Sequence, residues 1–483
     1  MKVSKGTSLS IVTTSLLFFV NELALLSIIT SALYLKFKKK PFECLLVICF
    51  YLTFQWTWSA ISVSTGISNL EPAHVKTIAG SIFLAITLTK YLSKPTKFQI
   101  LCIAGIFLLL IKSTLLSSNK MIAIKYLINM YIPMIITIVI MGNITFIKNR
   151  EKISSKMETY ITLVLTVSLI GALMHIASGY DTLISLTSSL ADNRQDTDII
   201  LKEVDGVFKS FTAGAATQIA GIPVIRNPGL IIDSILAGYT LAFTTVYIIY
   251  FVNKHKIILL TASCFLLFIT FSKGAWIIPI ITIFIAETNK FFWKKSAKFR
   301  LITNILLIST ISLATIVSAS RGSGDSSFIH FMGLSQVFVF HTSVAGNDLG
   351  SGGNYAESEF TEKLKTGAES TIGVMYYHIG AAGLALFLAL NASILMSLLK
   401  KKDRRYSILI GMLAAQLILC FLQENTYNLA YSFPRILIFI AIMFEINRTN
   451  THADQKNIPL SHNGAGCRIN IPIHTNTQKV SLT

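Results

Sequence analysis

The sequence predicts an all-α polytopic integral membrane protein with about 12–13 transmembrane helices and two long external loops. Three observations carry that prediction. Apolar runs of roughly 18–28 residues recur along most of the chain, and about 20 residues of helix cross a hydrocarbon core. Only 13% of the 483 residues are charged while 53% are hydrophobic, and the mean hydropathy is +0.63. A soluble chain of this length needs roughly 25% charged residues to cover its surface, so most of this surface faces lipid. Lysine and arginine, finally, sit in short clusters between the apolar runs.

The runs, in order, are 9–35, 42–64, 75–92, 98–116, 122–147, 159–179, 230–252, 256–271, 274–289, 301–319, 371–399, 406–424 and 430–446. Lys2 and Lys5 precede the first, which carries Asn21-Glu22 in its middle. It is too long for a signal-peptide core and lacks a small-x-small cleavage site, so it reads as an uncleaved span. The short pair 256–271 and 274–289 meets at Ser272-Lys273-Gly274, as one bent helix or as a re-entrant element. The chain then divides into an N-terminal bundle (1–179), a first long loop (180–229) and central helices (230–319). A large loop (320–370), C-terminal helices (371–447) and a polar tail (448–483) follow. The tail has no apolar periodicity and is expected to be disordered and cytoplasmic.

The net charge of +19 invites a nucleic-acid reading, which the distribution of charge excludes. The clusters are Lys36–Lys40, Lys90–Lys97, Lys148–Lys156, Lys290–Arg300 and Lys400–Arg405. Alternating the spans puts all of them on one face, the arrangement by which positive charge retains loops in the cytoplasm. A nucleic-acid surface would gather the charge in one domain. Both long loops then share the opposite, external face, with the N-terminus external and the C-terminus internal. More than half of the 23 acidic residues lie in those two loops, so their few arginines stand out.

Cys44, Cys49, Cys102, Cys264 and Cys420 lie in apolar runs and Cys467 in the tail, with no CxxC pair. That spacing supports neither a disulfide framework nor a zinc site. The external-side histidines His330, His341 and His378 match no ligand spacing, so no metal and no cofactor is expected. Gly322-Ser323-Gly324 lacks the strand-before, helix-after context of a nucleotide-binding loop.

Chemistry is expected in the long loops and at their ends, because hydrocarbon penalises charge and irregular backbone. Arg226, in Ile225-Arg226-Asn227-Pro228-Gly229, sits just before a span, where its fork can hold phosphate oxygens at headgroup depth. Arg321, in Ser320-Arg321-Gly322, is the matching cation at the mouth of the large loop. Each is equally an interfacial anchor. Asn347-Asp348-Leu349-Gly350-Ser351-Gly352-Gly353-Asn354 is a glycine-rich turn with one acid, either a flexible loop or one wall of a site. Glu369 and Ser370 lead into the next helix, with Tyr376, Tyr377 and His378 within about two turns. A carboxylate there suits a base and equally a plain N-terminal cap. Lys273 is a charge at a helix break, lining a pathway or snorkelling to the interface. Glu424 and Arg435 are expected to pair across the turn at 425–429.

These motifs resemble those of the bacterial O-antigen polymerase and O-antigen ligase superfamily, over about residues 210–440. The matching features are Ser272-Lys273-Gly274 (Lys where the family has Arg), Arg226-Asn227-Pro228-Gly229 and the Gly350-Ser351-Gly352 turn. Glu369-Ser370 before Gly380-Ala381-Ala382-Gly383-Leu384 completes the set. The resemblance implies a metal-independent, GT-C-like glycosyltransferase joining repeat units carried on undecaprenyl pyrophosphate. It would sit in the bacterial inner membrane, alongside a flippase and a chain-length regulator. Glu369 or Asp348 would act as base. Arg226, Arg321 and Lys273 would hold pyrophosphate, with His378, Tyr377 and Arg435 as secondary candidates. Ligases of the superfamily carry a histidine where this chain has Glu369-Ser370, which favours a polymerase. The ligase and a polysaccharide flippase are the alternatives.

Overall fold

The computed structural model describes residues 41–64, 94–143, 153–183, 199–204, 207–212, 216–219, 222–321, 326–356, 358–401 and 403–456. The expected spans at 9–35 and 75–92, the Gly322-Ser323-Gly324 turn and residues beyond 456 lie outside the described residues. Every other apolar run forms a helix. Before the first long loop come α1 (Pro41–Ser64), α2 (Lys97–Leu115), α3 (Lys120–Asn143) and α4 (Ile153–Ala177). Between the loops come α5 (Ser234–Phe251), α6 (Lys256–Ile269), α7 (Lys273–Phe291) and α8 (Ala297–Arg321). The large loop holds α9 (Ser326–Phe340) and α10 (Phe360–Lys365), and α11 (Thr371–Leu399), α12 (Tyr406–Leu419) and α13 (Leu429–Lys456) follow. Six of the described helices, α2, α3, α4, α5, α8 and α11, are long and apolar enough to cross a membrane. The chain is a multi-pass membrane protein.

Burial is inverted relative to a soluble bundle. In α2, a capping box between Thr96 and Gln99 starts the helix. Its outer face then exposes Leu101, Leu108 and Leu115 at about two-thirds of their area or more, a seven-residue spacing that suits lipid. The opposite face buries Cys102, Ile106, Leu110 and Ser113. In contrast, α12 is buried over its whole length and α5 over almost all of it, which makes these two the centre of the bundle.

The two ends of the bundle differ in character. At one end Lys156 pairs with Glu43 at 2.8 Å, and Glu287, Lys290, Arg404 and Arg405 line a shared cavity. Arg300 donates to the carbonyl of Leu399 at the same end. At the other end, Ser113 of α2 donates to the carbonyl of His378 in α11 at 2.8 Å, while Gly105 faces Leu386, so α2 and α11 run antiparallel. The polar chemistry lies at this second, cation-poor end.

Four expectations change. The first long loop is not irregular throughout: β1 (Ile199–Val204) pairs antiparallel with β2 (Val207–Thr212), and β3 (Ala216–Ile219) with β4 (Ile222–Ile225). The intervening sequence Asp205-Gly206 is the pair that two-residue hairpins favour. The large loop is not polar for its whole length, because Phe328–Phe340 is an apolar helical stretch. At ~20 Å it is too short to cross a membrane. Ser272-Lys273-Gly274 separates two helices, α6 and α7, rather than bending one. And α13 carries helix on to Lys456, past the point where disorder was expected.

Candidate functional site

The Arg226-Asn227-Pro228-Gly229 turn is clamped between α4 and α6. The Asn227 side chain donates to Ala172 O at 3.0 Å, its backbone N–H donates to Ile269 O at 2.9 Å, and its Oδ1 accepts the N–H of Gly229. Anchoring the asparagine fixes where Arg226 can reach. Arg226 Nη1 lies 3.4 Å from Ser234 Oγ, and the guanidinium stands near Asp233. Burial pulls the Arg226 pKa down, and Asp233 opposes that. Asp233 caps α5 through the N–H groups of Ile235 and Leu236 and accepts the Tyr431 hydroxyl at 2.9 Å. Tyr431 stacks on Tyr239, whose hydroxyl donates to Gln423, the neighbour of Glu424. Lys273 is exposed at the start of α7, and the adjacent Gly274 faces the Gln423 side chain. Polar contacts, one ring stack and the chain itself therefore link Arg226 to Glu424.

The large loop folds back onto α11, which is broken at Gly380 (φ 69°, ψ −173°). The segment Ser343–Leu349 fills the break. Ala381 and Ala382 donate to Ser343 O (3.1 Å) and Val344 O (2.9 Å), and Asn347 N–H donates to Tyr377 O at 2.8 Å. Lys112 of α2 donates to Gly346 O at 2.6 Å. A break inside this apolar helix is tolerated because protein groups take up the freed backbone polar atoms. The glycine-rich turn beyond it is fixed rather than flexible. At Gly353 (φ +73°) an added Cβ would fall on the Tyr126 hydroxyl and within 2.9 Å of Glu424 Oε1.

Two carboxylates, Asp348 and Glu369, were candidates here, and the structure sets a third, Glu424, beside Glu369. Asp348 is committed to local structure: Oδ2 accepts from Ser118 N–H (3.2 Å) and Oγ (3.0 Å), and Oδ1 from Gly350 N–H (2.6 Å). It closes the turn against the α2–α3 connection. Burial opposes its ionisation, but these donors outweigh it and hold its pKa below the ordinary aspartate value. Its stabilisation is therefore full above that ordinary value and is lost as pH falls through the depressed one. Asp348→Asn is expected to lower stability by ~1–2 kcal/mol, read by thermal unfolding in detergent, while leaving activity intact.

Glu369 is the accessible acid. Its Oε2 lies 3.3 Å from His330 Nδ1, with side-chain exposures of 29% and 23%. The same Nδ1 is 3.1 Å from the Glu369 carbonyl, an acceptor only, so Nδ1 carries the proton and Nε2 is left as the basic nitrogen. Burial opposes ionisation of Glu369, and the hydrogen bond from His330, joined by its charge when the ring is protonated, outweighs it and holds the pKa low. Glu424 is the buried acid, 3% exposed. It accepts the Tyr126 hydroxyl at 2.7 Å and the N–H groups of Asn354 and Glu369 at 3.1–3.2 Å. Burial, with Glu369 adding charge, pushes its pKa up to about 7. Two neighbouring carboxylates driven apart in this way are the pattern of a proton-transfer site.

The remaining candidates divide. Tyr377 bonds Ser351 in the glycine turn at 2.9 Å. His378 is buried against Tyr126 and Tyr131, with Nδ1 3.1 Å from Tyr131 Oη, so it packs the site without reaching its surface. Arg435 does not pair with Glu424, whose oxygens are taken by Tyr126 and backbone amides. It lies buried over the Tyr427 ring at 5.1 Å and bonds Ser432. Arg321 is exposed at the end of α8. Sequence reasoning missed Tyr126 and the His330–Glu369 pairing: a tyrosine inside an apolar run carries no signal, and the histidine arrives from a helix read as loop. Among the described residues no three His, Cys, Asp or Glu side chains group as a metal site. No family model, curated protein or solved structure matches the chain.

Proposed function

We propose that this chain is a membrane polysaccharide polymerase, a metal-independent GT-C-like glycosyltransferase. It would join undecaprenyl-pyrophosphate-linked repeat units on the periplasmic face of a bacterial inner membrane. The acceptor sugar's hydroxyl oxygen bonds the donor's anomeric carbon. The bond from that carbon to pyrophosphate breaks, and the pyrophosphate leaves on its lipid with the electron pair. The acceptor proton goes to the His330–Glu369 pair. Arg226, with Lys273 and Arg321 as further cations, offsets the charge of the leaving group. The donor bond is already activated, so no nucleotide is consumed.

The observation that carries this reading is the convergence of the Glu369–His330 pair and the Arg226 network at the cation-poor end of the bundle. A second reading, the ligase, gains from His330 itself, because an imidazole stands beside position 369 although the sequence there is Glu-Ser. The lipid-linked glycan profile of a deletion strain separates the readings. Loss of a polymerase leaves at most one repeat unit attached to the final acceptor. Full polymer stranded on the carrier lipid would mean a ligase, and repeat units trapped on the cytoplasmic face would mean a flippase.

A further inference from the structure

Glu424 opens the short 3-10 turn Glu424–Tyr427 between α12 and α13. Its carboxylate joins three separate segments: Tyr126 of α3, Asn354 of the glycine turn, and Glu369 at the start of α11. Every one of these partners donates. The Tyr126 oxygen already accepts the N–H of Tyr355, at 3.2 Å. A protonated Glu424 has one oxygen fewer to offer and no ready acceptor for its own proton, so at least one of the three contacts must open. Glu369 is the sensitive partner. Its φ of 70° is a left-handed conformation that costs a non-glycine residue ~1–2 kcal/mol. It is held there by its N–H on Glu424 and its carbonyl on His330.

We propose that Glu424 is a positioning residue: in its ionised form it holds Glu369 in the backbone conformation that aims the carboxylate at His330. Oε2 accepts both the Glu369 and the Asn354 N–H, so a proton on that oxygen releases the two together, and the site follows the pH of the face it opens on. The groups facing Glu424 are Tyr126 and Tyr131 from α3, Glu369 with His330 behind it, and, through Asn354 O, Lys363 of α10 at 3.4 Å. Glu369 is the one acid among them, and its charge opposes ionisation of Glu424, which moves the response up toward neutral pH. The inference rests on the transferase reading of the same site.

The test uses the full-length protein in nanodiscs, as wild type, Glu424→Gln and Glu424→Asp, from about pH 5 to pH 9. Amide hydrogen exchange, corrected for its intrinsic pH dependence, is read over residues 350–356 and 366–372. Transfer of synthetic lipid-pyrophosphate repeat units is read in parallel. Wild type is expected to lose protection and rate together as pH falls through about 7. Glu424→Gln places an amide NH2 against N–H donors, and is expected to be exchange-labile and at least about tenfold slower, with the acidic limb gone. Glu424→Asp keeps the acceptors and should retain a pH-dependent, weakened response. Protection that is independent of pH in wild type, or a Gln variant that keeps the wild-type profile, overturns the proposal. If wild type makes no polymer, the transferase reading fails while the exchange measurement still decides the role of Glu424.

Discussion

Gly353→Ala is expected to destabilise the folded protein by about 2–5 kcal/mol, enough to remove most of it from a detergent extract. The left-handed backbone accounts for ~1–2 kcal/mol, and overpacking for ~1–3 kcal/mol more. The methyl group would fall on the Tyr126 hydroxyl and press Glu424 Oε1. Neither can retreat: Tyr126 is fully buried between Tyr355 and His378, and its hydroxyl is committed to Glu424. Gly179 provides the control, because it also has positive φ but an added Cβ meets nothing within 4 Å. Gly179→Ala should carry the backbone cost alone. Fluorescence-detected size exclusion and thermal unfolding of the two variants side by side measure the difference. Equal behaviour would mean that the glycine turn is not seated against α3 as described.

Glu369→Gln is expected to cut transfer by about 10²–10⁴-fold with little loss of stability. The amide keeps the shape, the backbone conformation and the N–H bond to Glu424, and removes only the negative charge beside His330. His330→Ala should fall by a similar factor. The double variant should be little worse than either single one, because a pair acting as one unit is not additive. Initial rates on lipid-linked substrate measure all three. Additive losses would show that the two side chains act separately, and an unaffected rate in Glu369→Gln would remove it from the proton path.

Much of the architecture is legible in the residues because it follows from hydropathy and charge, which act locally. The apolar runs mark the helices, and the lysine and arginine clusters sort their ends. Arg226 stands out because arginines are few in the acidic external loops, and Glu369 because it leads directly into a span. What is not legible depends on contacts distant in sequence. Glu424 was expected to meet Arg435, its nearest opposite charge in sequence, yet its partners come from α3, the glycine turn and the start of α11. Asp348 looks like a free loop acid until Ser118, 230 positions away, is seen to hold it. The glycines carry little weight in sequence, because only the approach of Tyr126 distinguishes Gly353 from a flexible linker. His330 was hidden because Phe328–Phe340 is too short for a span and was assigned to the large loop. Its arrival beside Glu369 also bears on polymerase against ligase. The missing histidine at 369–370 is a difference in sequence position, and the imidazole is supplied from 39 residues upstream.

The central claim is that the external end of this bundle extends a lipid-linked glycan. The most direct measurement is to incubate the purified protein in nanodiscs with one synthetic undecaprenyl-pyrophosphate repeat unit, without nucleotide, and to resolve the products by length. The account predicts a ladder of multiples of the unit, with one undecaprenyl pyrophosphate released per new bond, and its collapse to the single unit in Arg226→Ala. Substrate that stays at one unit with the wild-type protein, or a ladder unchanged by Arg226→Ala, would contradict it.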